Sequence, residues 1–297
     1  MIWTLHRWVW RLKSPLFIGM PPAGSLSRCR LYLLARTLHG ALAAEIARLK
    51  HGDARQPDYG KIGWELALNC RFTYLYPAEK SGEVFLPWLP KYENGKGCQW
   101  HRKGDEETAT DREFRRRLLT SRAGTAIAPE SDSASEGTLR ETECMNPWWR
   151  DETNSHAEPK PVFLLGYLFL RNNGFRRQLS SIDNLFVGGD TRYGLGEITL
   201  ATWDDLPIDE LLFGKRVTLT NEDPQVYSNF VWGDVPINGH TPNIEVRGAK
   251  ELLGGWEMAN PFKGCLAWAP GSFLVRGQER WAIDTYGNWI YEGVCQP

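Results

Sequence analysis

Four glycines crowd the segment Val187-Gly-Gly-Asp-Thr-Arg-Tyr-Gly-Leu-Gly196. Glycine permits positive φ and lets an anion come close to backbone N–H groups. Between the glycines, Arg192 offers a planar cation for phosphate, and Tyr193 a ring on which a base can stack. A tight turn is the plain alternative, but one or two glycines would serve a turn. Gly188, Gly189, Arg192, Tyr193, Gly194 and Gly196 are therefore read together as a binding loop. No Gly-Lys-Ser/Thr occurs there, so it is not a nucleotide P-loop. Gly194-Leu-Gly196 leads into a strand, not a helix, so it is not a dinucleotide fingerprint.

A second set of residues lies near the start. Arg7, Arg11, Lys13, Arg28, Arg30, Arg36, Arg48 and Lys50 face a single acid, Glu45, within the first fifty residues, although the whole chain carries only −1. Such a field can hold phosphates, and it can equally be a solvated face. Lys13, Arg28, Arg30 and Arg36 are the candidate phosphate ligands, with Tyr32 as a further stacking ring. His39, beside Arg36 and Thr37, is the candidate general acid or base of a metal-free ribonuclease. No second histidine or tyrosine stands beside it in sequence; only folding could bring Tyr32 or His6 near. Its other role is to bind RNA or to pack. Cys98 and His101 form a Cys-x-x-His pair that Cys70 and Cys144 could complete as a zinc site. With no second close pair, free reduced thiols are the preferred reading. No metal or other cofactor is expected.

Two further stretches carry a resemblance. Ser14-Pro-Leu-Phe-Ile-Gly19 followed by Arg36-Thr-Leu-His-Gly-Ala-Leu42, together with the glycine-rich loop, resembles the RAMP superfamily of CRISPR-associated proteins. Ala35 stands where that family usually has glycine. Arg122-Ala-Gly-Thr-Ala-Ile-Ala-Pro129 and Ala134-Ser-Glu-Gly-Thr-Leu-Arg-Glu-Thr-Glu143 resemble a stretch of the 5′-handle-capping subunits of type III and related effector complexes. The resemblance implies a non-catalytic subunit of a CRISPR ribonucleoprotein that binds the repeat-derived 5′ handle of the CRISPR RNA. Arg122 joins the candidate RNA ligands, and the other effector subunits become the expected partners: backbone RAMP subunits and a large subunit. Family members that cut target RNA use an aspartate in the first loop region, and residues 13–40 contain neither Asp nor Glu. Two alternatives stay open: a guide-processing endoribonuclease using His39, and a protein-docking scaffold with little RNA contact.

These residues need elements to position them. Ile2 to Leu12 alternates as a strand. Thr37 N-caps a helix from about Leu38 to Lys50, with Leu38, Leu42, Ile46 and Leu49 as its stripe. Glu65 to Tyr76 alternates as a strand region. Val162 to Leu170 is a buried central strand, a helix follows at about Phe175 to Leu185, and a strand runs from Glu197 to Trp203. Strand, helix, strand, strand, helix, loop, strand is an α+β order. It gives a ferredoxin-like, RRM-like split βαβ core over 1–203, interrupted by a partly mobile insertion at about 77–160. Residues 204–297 form a β-rich extension, with a hairpin turning at Gly287-Asn288. The fourteen tryptophans exceed what a core requires and point to exposed aromatic faces. Trp88, Trp100, Trp148 and Trp149 in the insertion should need a partner to cover them. Neither a secretory signal nor an eighteen-residue apolar run occurs, so a cytoplasmic protein without membrane contact is expected.

Overall fold

The computed structural model describes residues 3–51, 57–150, 158–171, 173–205, 211–237, 244–254 and 264–291. In chain order, the elements that position the site begin with β1 (Thr4–Leu12), α1 (Ala35–His51), α2 (Tyr59–Asn69), β2 (Cys70–Phe72) and β3 (Tyr76–Ser81). The middle of the chain gives β4 (Val84–Glu93), β5 (Gly97–Arg102), β6 (Thr108–Thr110), α3 (Asp111–Leu118), β7 (Leu119–Gly124) and β8 (Arg140–Met145). Then come β9 (Phe163–Leu170), α4 (Asn173–Leu179), β10 (Asn184–Phe186) and β11 (Glu197–Asp205). The last part contributes β12 (Lys215–Thr218), β13 (Gln225–Ser228), β14 (Lys250–Gly254), β15 (Gly264–Trp268), β16 (Glu279–Ile283) and β17 (Trp289–Tyr291).

The main sheet has nine strands in the order β10-β11-β1-β9-β3-β4-β5-β6, with β2 also paired to β9. Its centre, β11-β1-β9 flanked by β2 and β3, is antiparallel throughout. Because α1 follows β1 and α4 follows β9, the centre has the order β-α-β-β-α-β. The protein is thus a strand-rich mixture of α and β. β9, Phe-Leu-Leu-Gly-Tyr-Leu-Phe-Leu, is buried at every position, as a strand covered on both faces should be. β1 is also covered on both faces. Trp8 and Trp10 are essentially buried, and so are Leu5 and Val9 on the strand's other face. A bulge between Val9 and Trp10 reconciles its register with β11.

Several expectations are corrected. Helix α1 starts two residues before Thr37, which therefore lies in the first turn and is not the cap. Residues 59–69 are helical where the alternation from Glu65 implied a strand. Asp58 caps α2 by accepting from the N–H of Lys61 at 2.9 Å, and Ile62 and Leu66, one turn apart, are its buried residues. Leu66 and Leu68 fit the strand period, but on the helix they fall on opposite faces, Leu66 buried and Leu68 exposed.

The first part of the insertion, residues 84–118, carries its own core, whereas residues 120–141 contain no buried side chain. β4, β5 and β6 extend the main sheet, and α3 closes over them with a capping box at Thr110 and Glu113. Trp100 stacks on Phe114 at 4.2 Å, and Trp88 and Trp149 pack on the same ring. Trp88, Trp100 and Trp149 are buried, leaving only Trp148 exposed among the four. Most of the tryptophan surplus is likewise core: Trp3, Trp8, Trp10, Trp281 and Trp289 are all buried, and Trp64 is the clear exception at 64% exposed. The extension holds a second sheet that includes β12-β13-β16-β17, and its final hairpin turns at Gly287, where φ is +77°. Residues 151–157 of the insertion, Ile2 and Cys295 lie outside the described residues. Among the described residues, no helix is long and apolar enough to cross a membrane.

Candidate nucleic-acid interface

The glycine-rich loop is docked on the segment that follows β1. Gly189 donates its N–H to the carbonyl of Phe17 at 2.9 Å, and Gly196 donates to Pro15 at 2.8 Å. A Cβ on Gly188 would stand 2.3 Å from the Phe17 oxygen, and one on Gly196 would stand 2.0 Å from the Val187 oxygen. Both residues also have positive φ, so glycine is needed there on two counts. Gly194 has φ +80° but open space around it. The tight docking corrects one expectation. The N–H groups of Gly189, Tyr193, Gly194 and Gly196 are donated within the chain, so these four are not free for phosphate. What the loop offers to solvent is the Arg192 and Tyr193 side chains, both exposed.

Three sequence-distant patches meet at this loop. Leu16 and Met145 exchange backbone hydrogen bonds of 2.9 and 2.8 Å, fixing the segment after β1 to the end of β8. Leu26–Ser27 pairs in parallel with Glu141 and Thr142 of β8. The Glu143 carboxylate accepts from the N–H of Cys29 at 2.8 Å. Burial raises the Cys29 thiol to about 12, so it stays protonated; its sulfur accepts from Ile18 N–H and it donates to the Arg30 carbonyl. On β7, Arg122 stands opposite Thr142 of β8. Arg140 sits with its guanidinium 5.1 Å from the Tyr193 ring centroid. Sequence reasoning passed over Arg140, although the quoted stretch contained it. The signal was available in the pairing of two short strands, which sets Arg140 against Gly124 and leaves its long side chain room.

The basic field of the first fifty residues is smaller than its composition. Arg7 pairs with Asp204, Arg30 with Glu251, Arg48 with Glu45 and Lys50 with Glu65. Arg11 lies over the Trp148 ring. Lys13 and Arg28, with Arg122 and Arg192 from the other two patches, have no carboxylate partner among the described residues. Glu141 is the exposed acid on the same strands, and Asp190, half-buried, precedes Thr191.

Arg30 and Tyr32 leave the candidate set. Arg30 is 6% exposed and donates to Glu251 at 2.9 Å, to the Leu252 carbonyl at 2.9 Å and to the Gly19 carbonyl. Tyr32 donates to the other oxygen of Glu251 at 2.5 Å and stacks on Tyr74. Tyr74 donates in turn to Asp234 at 2.6 Å. Burial, with Glu251 close by, pushes the Asp234 carboxyl well above its usual range. These groups form a polar knot between the segment before α1 and the C-terminal extension.

His39 is also removed from the surface. Its ring packs edge-on against Phe72 and Tyr286, and burial holds its pKa below the ordinary value. Arg36 is exposed but lies over the Tyr286 ring at 4.6 Å and donates to the Gly254 carbonyl at 3.3 Å. Thr37 is half-buried beside it. Thus Lys13, Arg28, Arg122, Gly188, Gly189, Arg192, Tyr193, Gly194 and Gly196 come together. Arg30, Tyr32, Arg36 and His39 belong to the contact with the extension, and Thr37 lies in the same turn of α1.

Cys98 and His101 both lie on β5, three residues apart, and so point to opposite faces of the sheet. Burial raises the Cys98 thiol to about 12, while His101 faces Glu93 at 3.3 Å. Cys144 is on β8, near Cys29, and Cys70 begins β2. Among the described residues no three metal-ligating side chains cluster.

No family model and no curated protein matches this chain. Solved structures do match its fold. A chain of the Type III-B Cmr-beta complex bound to cognate target RNA and AMPPnP aligns with a TM-score of 0.54 at 13% identity, over 90% of this chain and 85% of that one. A chain of Cmr-beta bound to cognate target RNA aligns with a TM-score of 0.53 at 12% identity, over 90% and 86%. At these identities the likeness is one of fold.

Proposed function

We propose that this protein is a non-catalytic RNA-binding subunit of a type III CRISPR effector complex and grips the repeat-derived 5′ handle of the guide RNA. The observation that carries the proposal is the convergence of residues 13–29, 122–142 and 188–196 on one exposed face. Each segment brings at least one cation without a carboxylate partner, and Tyr193 lies among them with Arg140 beside its ring. Unpaired cations around an exposed aromatic ring fit a single-stranded phosphate backbone with one stacked base. The inner β-α-β-β-α-β strands are read as a ferredoxin-like RAMP unit, and the fold likeness to chains of Cmr-beta complexes bound to RNA supports that reading. The non-catalytic assignment rests on His39. A neutral ring packed between Phe72 and Tyr286 is poorly placed to exchange protons with a substrate.

Photocrosslinking in the assembled complex tests the proposal. A benzoyl-phenylalanine at position 193 is expected to crosslink to guide RNA, and the crosslinks should map to its repeat-derived 5′ end. Crosslinks confined to the spacer, or to protein alone, would overturn the handle assignment.

A further inference from the structure

A second concentration of unpaired positive charge lies elsewhere, in a cleft between the β4–β5 hairpin and the C-terminal extension. The cleft has a volume of about 350 Å³, within the range of small-molecule sites. Lys91 of β4, Lys103 just after β5, and Lys215 at the start of β12 all line it. Lys91 and Lys215 are held by side-chain contacts, and Lys103 is an exposed residue placed by its backbone. Lys103 N–H donates to the Pro87 carbonyl at 2.8 Å, and a Cβ on Gly214, where φ is +81°, would stand 2.8 Å from the Lys103 ammonium. A side chain at 214 would therefore displace that ammonium. Lys215 donates to the Asn229 amide oxygen at 3.1 Å, and Lys91 lies over the Phe230 ring at 5.8 Å.

Among the described residues, the cleft lining carries more cations than carboxylates. Among the described residues, none of the three lysines forms an ion pair. Arg102 also lines the cleft, but Glu79, Asp105 and Glu107 already satisfy it. His101 faces Glu93, and burial favours its neutral form. Among the described residues, Glu106 is the one carboxylate on the wall. Three ammonium groups against one carboxylate leave an excess of two positive charges. Consistent with that excess, burial and the two neighbouring lysines lower the pKa of Lys215. Holding like charges together in a half-enclosed cleft is unfavourable unless an anion neutralises them.

We infer that this cleft binds a phosphate monoester, with Lys91, Lys103 and Lys215 as its ligands and the Phe230 ring as an apolar wall. The dianionic charge of a monoester matches the excess, whereas a phosphodiester would leave half of it unmet. The group could come from a free nucleotide or from the phosphorylated end of an RNA. This site stands apart from the face around Tyr193 and does not depend on the guide-RNA reading.

Equilibrium binding at constant ionic strength tests it, with AMP, adenosine, and short RNAs bearing a 5′-phosphate or a 5′-hydroxyl as probes. AMP is expected to bind saturably and adenosine not to bind. K103M and K215M should each weaken AMP binding about tenfold or more, whereas K61M, on the exposed face of α2, should not. Thermal unfolding separates ligand loss from misfolding. Without ligand, K215M should melt no lower than the native protein, because a like-charge contact has been relieved, yet it should lose the rise in Tm that AMP produces. Preference for AMP names the free nucleotide as the source, and preference for 5′-phosphate over 5′-hydroxyl RNA names an RNA end; both support the site. Equal binding of AMP and adenosine, no saturable binding, or native affinity in both lysine variants would overturn it.

Discussion

Arg28 and Arg30 stand two residues apart in one motif, yet they do different work. Arg28 is half-exposed, beside strands that bring Arg122 and Arg140, with no carboxylate partner among the described residues. Arg30 is buried on Glu251, a residue 221 positions away. The same contrast divides two regions of the molecule. On the face around Tyr193 the cations are left over; in the knot of Arg30, Tyr32, Tyr74, Asp234 and Glu251 they are consumed by the fold. A basic residue marks a binding surface only when no distant part of the chain supplies its counter-charge, and a local reading cannot know whether one does.

The largest effect that would sharpen this contrast lies in the knot. E251A leaves the Arg30 guanidinium buried without its carboxylate, and it should cost about 3–5 kcal/mol in urea unfolding. R30M/E251L, which removes both charges, should recover most of that loss. If E251A unfolded like the native protein, the knot would not hold the extension to the sheet.

A smaller effect is expected in the glycine loop, where two glycines differ in kind. G188A places a Cβ against the Phe17 oxygen at a positive φ, and should cost about 2–3 kcal/mol and loosen RNA binding as the loop undocks. G194A meets no neighbour, so only the backbone term of about 1 kcal/mol remains. Equal stability of the two variants would mean that the loop does not depend on its seat against residues 15–17.

Much of this was legible in the sequence where period and composition agreed. β9 and α1 showed themselves by a solid apolar run and a helical stripe. The glycine loop stood out by its four glycines around an Arg-Tyr, and its link to the segment after β1 came only from the family resemblance. Three features were not legible, each for a physical reason. The helical character of residues 59–69 depended on a cap at Asp58, outside the alternating window. The aromatic core of the insertion depended on Trp88, Trp100, Phe114 and Trp149 arriving from different elements, so no local pattern revealed that they cover one another. The division of the basic residues depended on Glu251 and Asp204, which long-range strand placement alone brings into reach. For the same reason Arg30, Tyr32 and His39 were plausible ligands until the extension was seen to cover them.

On the proposed reading, Lys13, Arg122 and Arg192 act as one phosphate-binding face. Affinity for single-stranded repeat RNA, measured against KCl concentration for the native protein and for K13A/R122A/R192A, tests it most directly. Each lost phosphate contact should flatten the slope of log K against log salt by about 0.7, so the triple variant should flatten it by about 2, with unfolding unchanged. A triple variant that folds normally and keeps the native slope would mean that RNA is held, if at all, on a different surface.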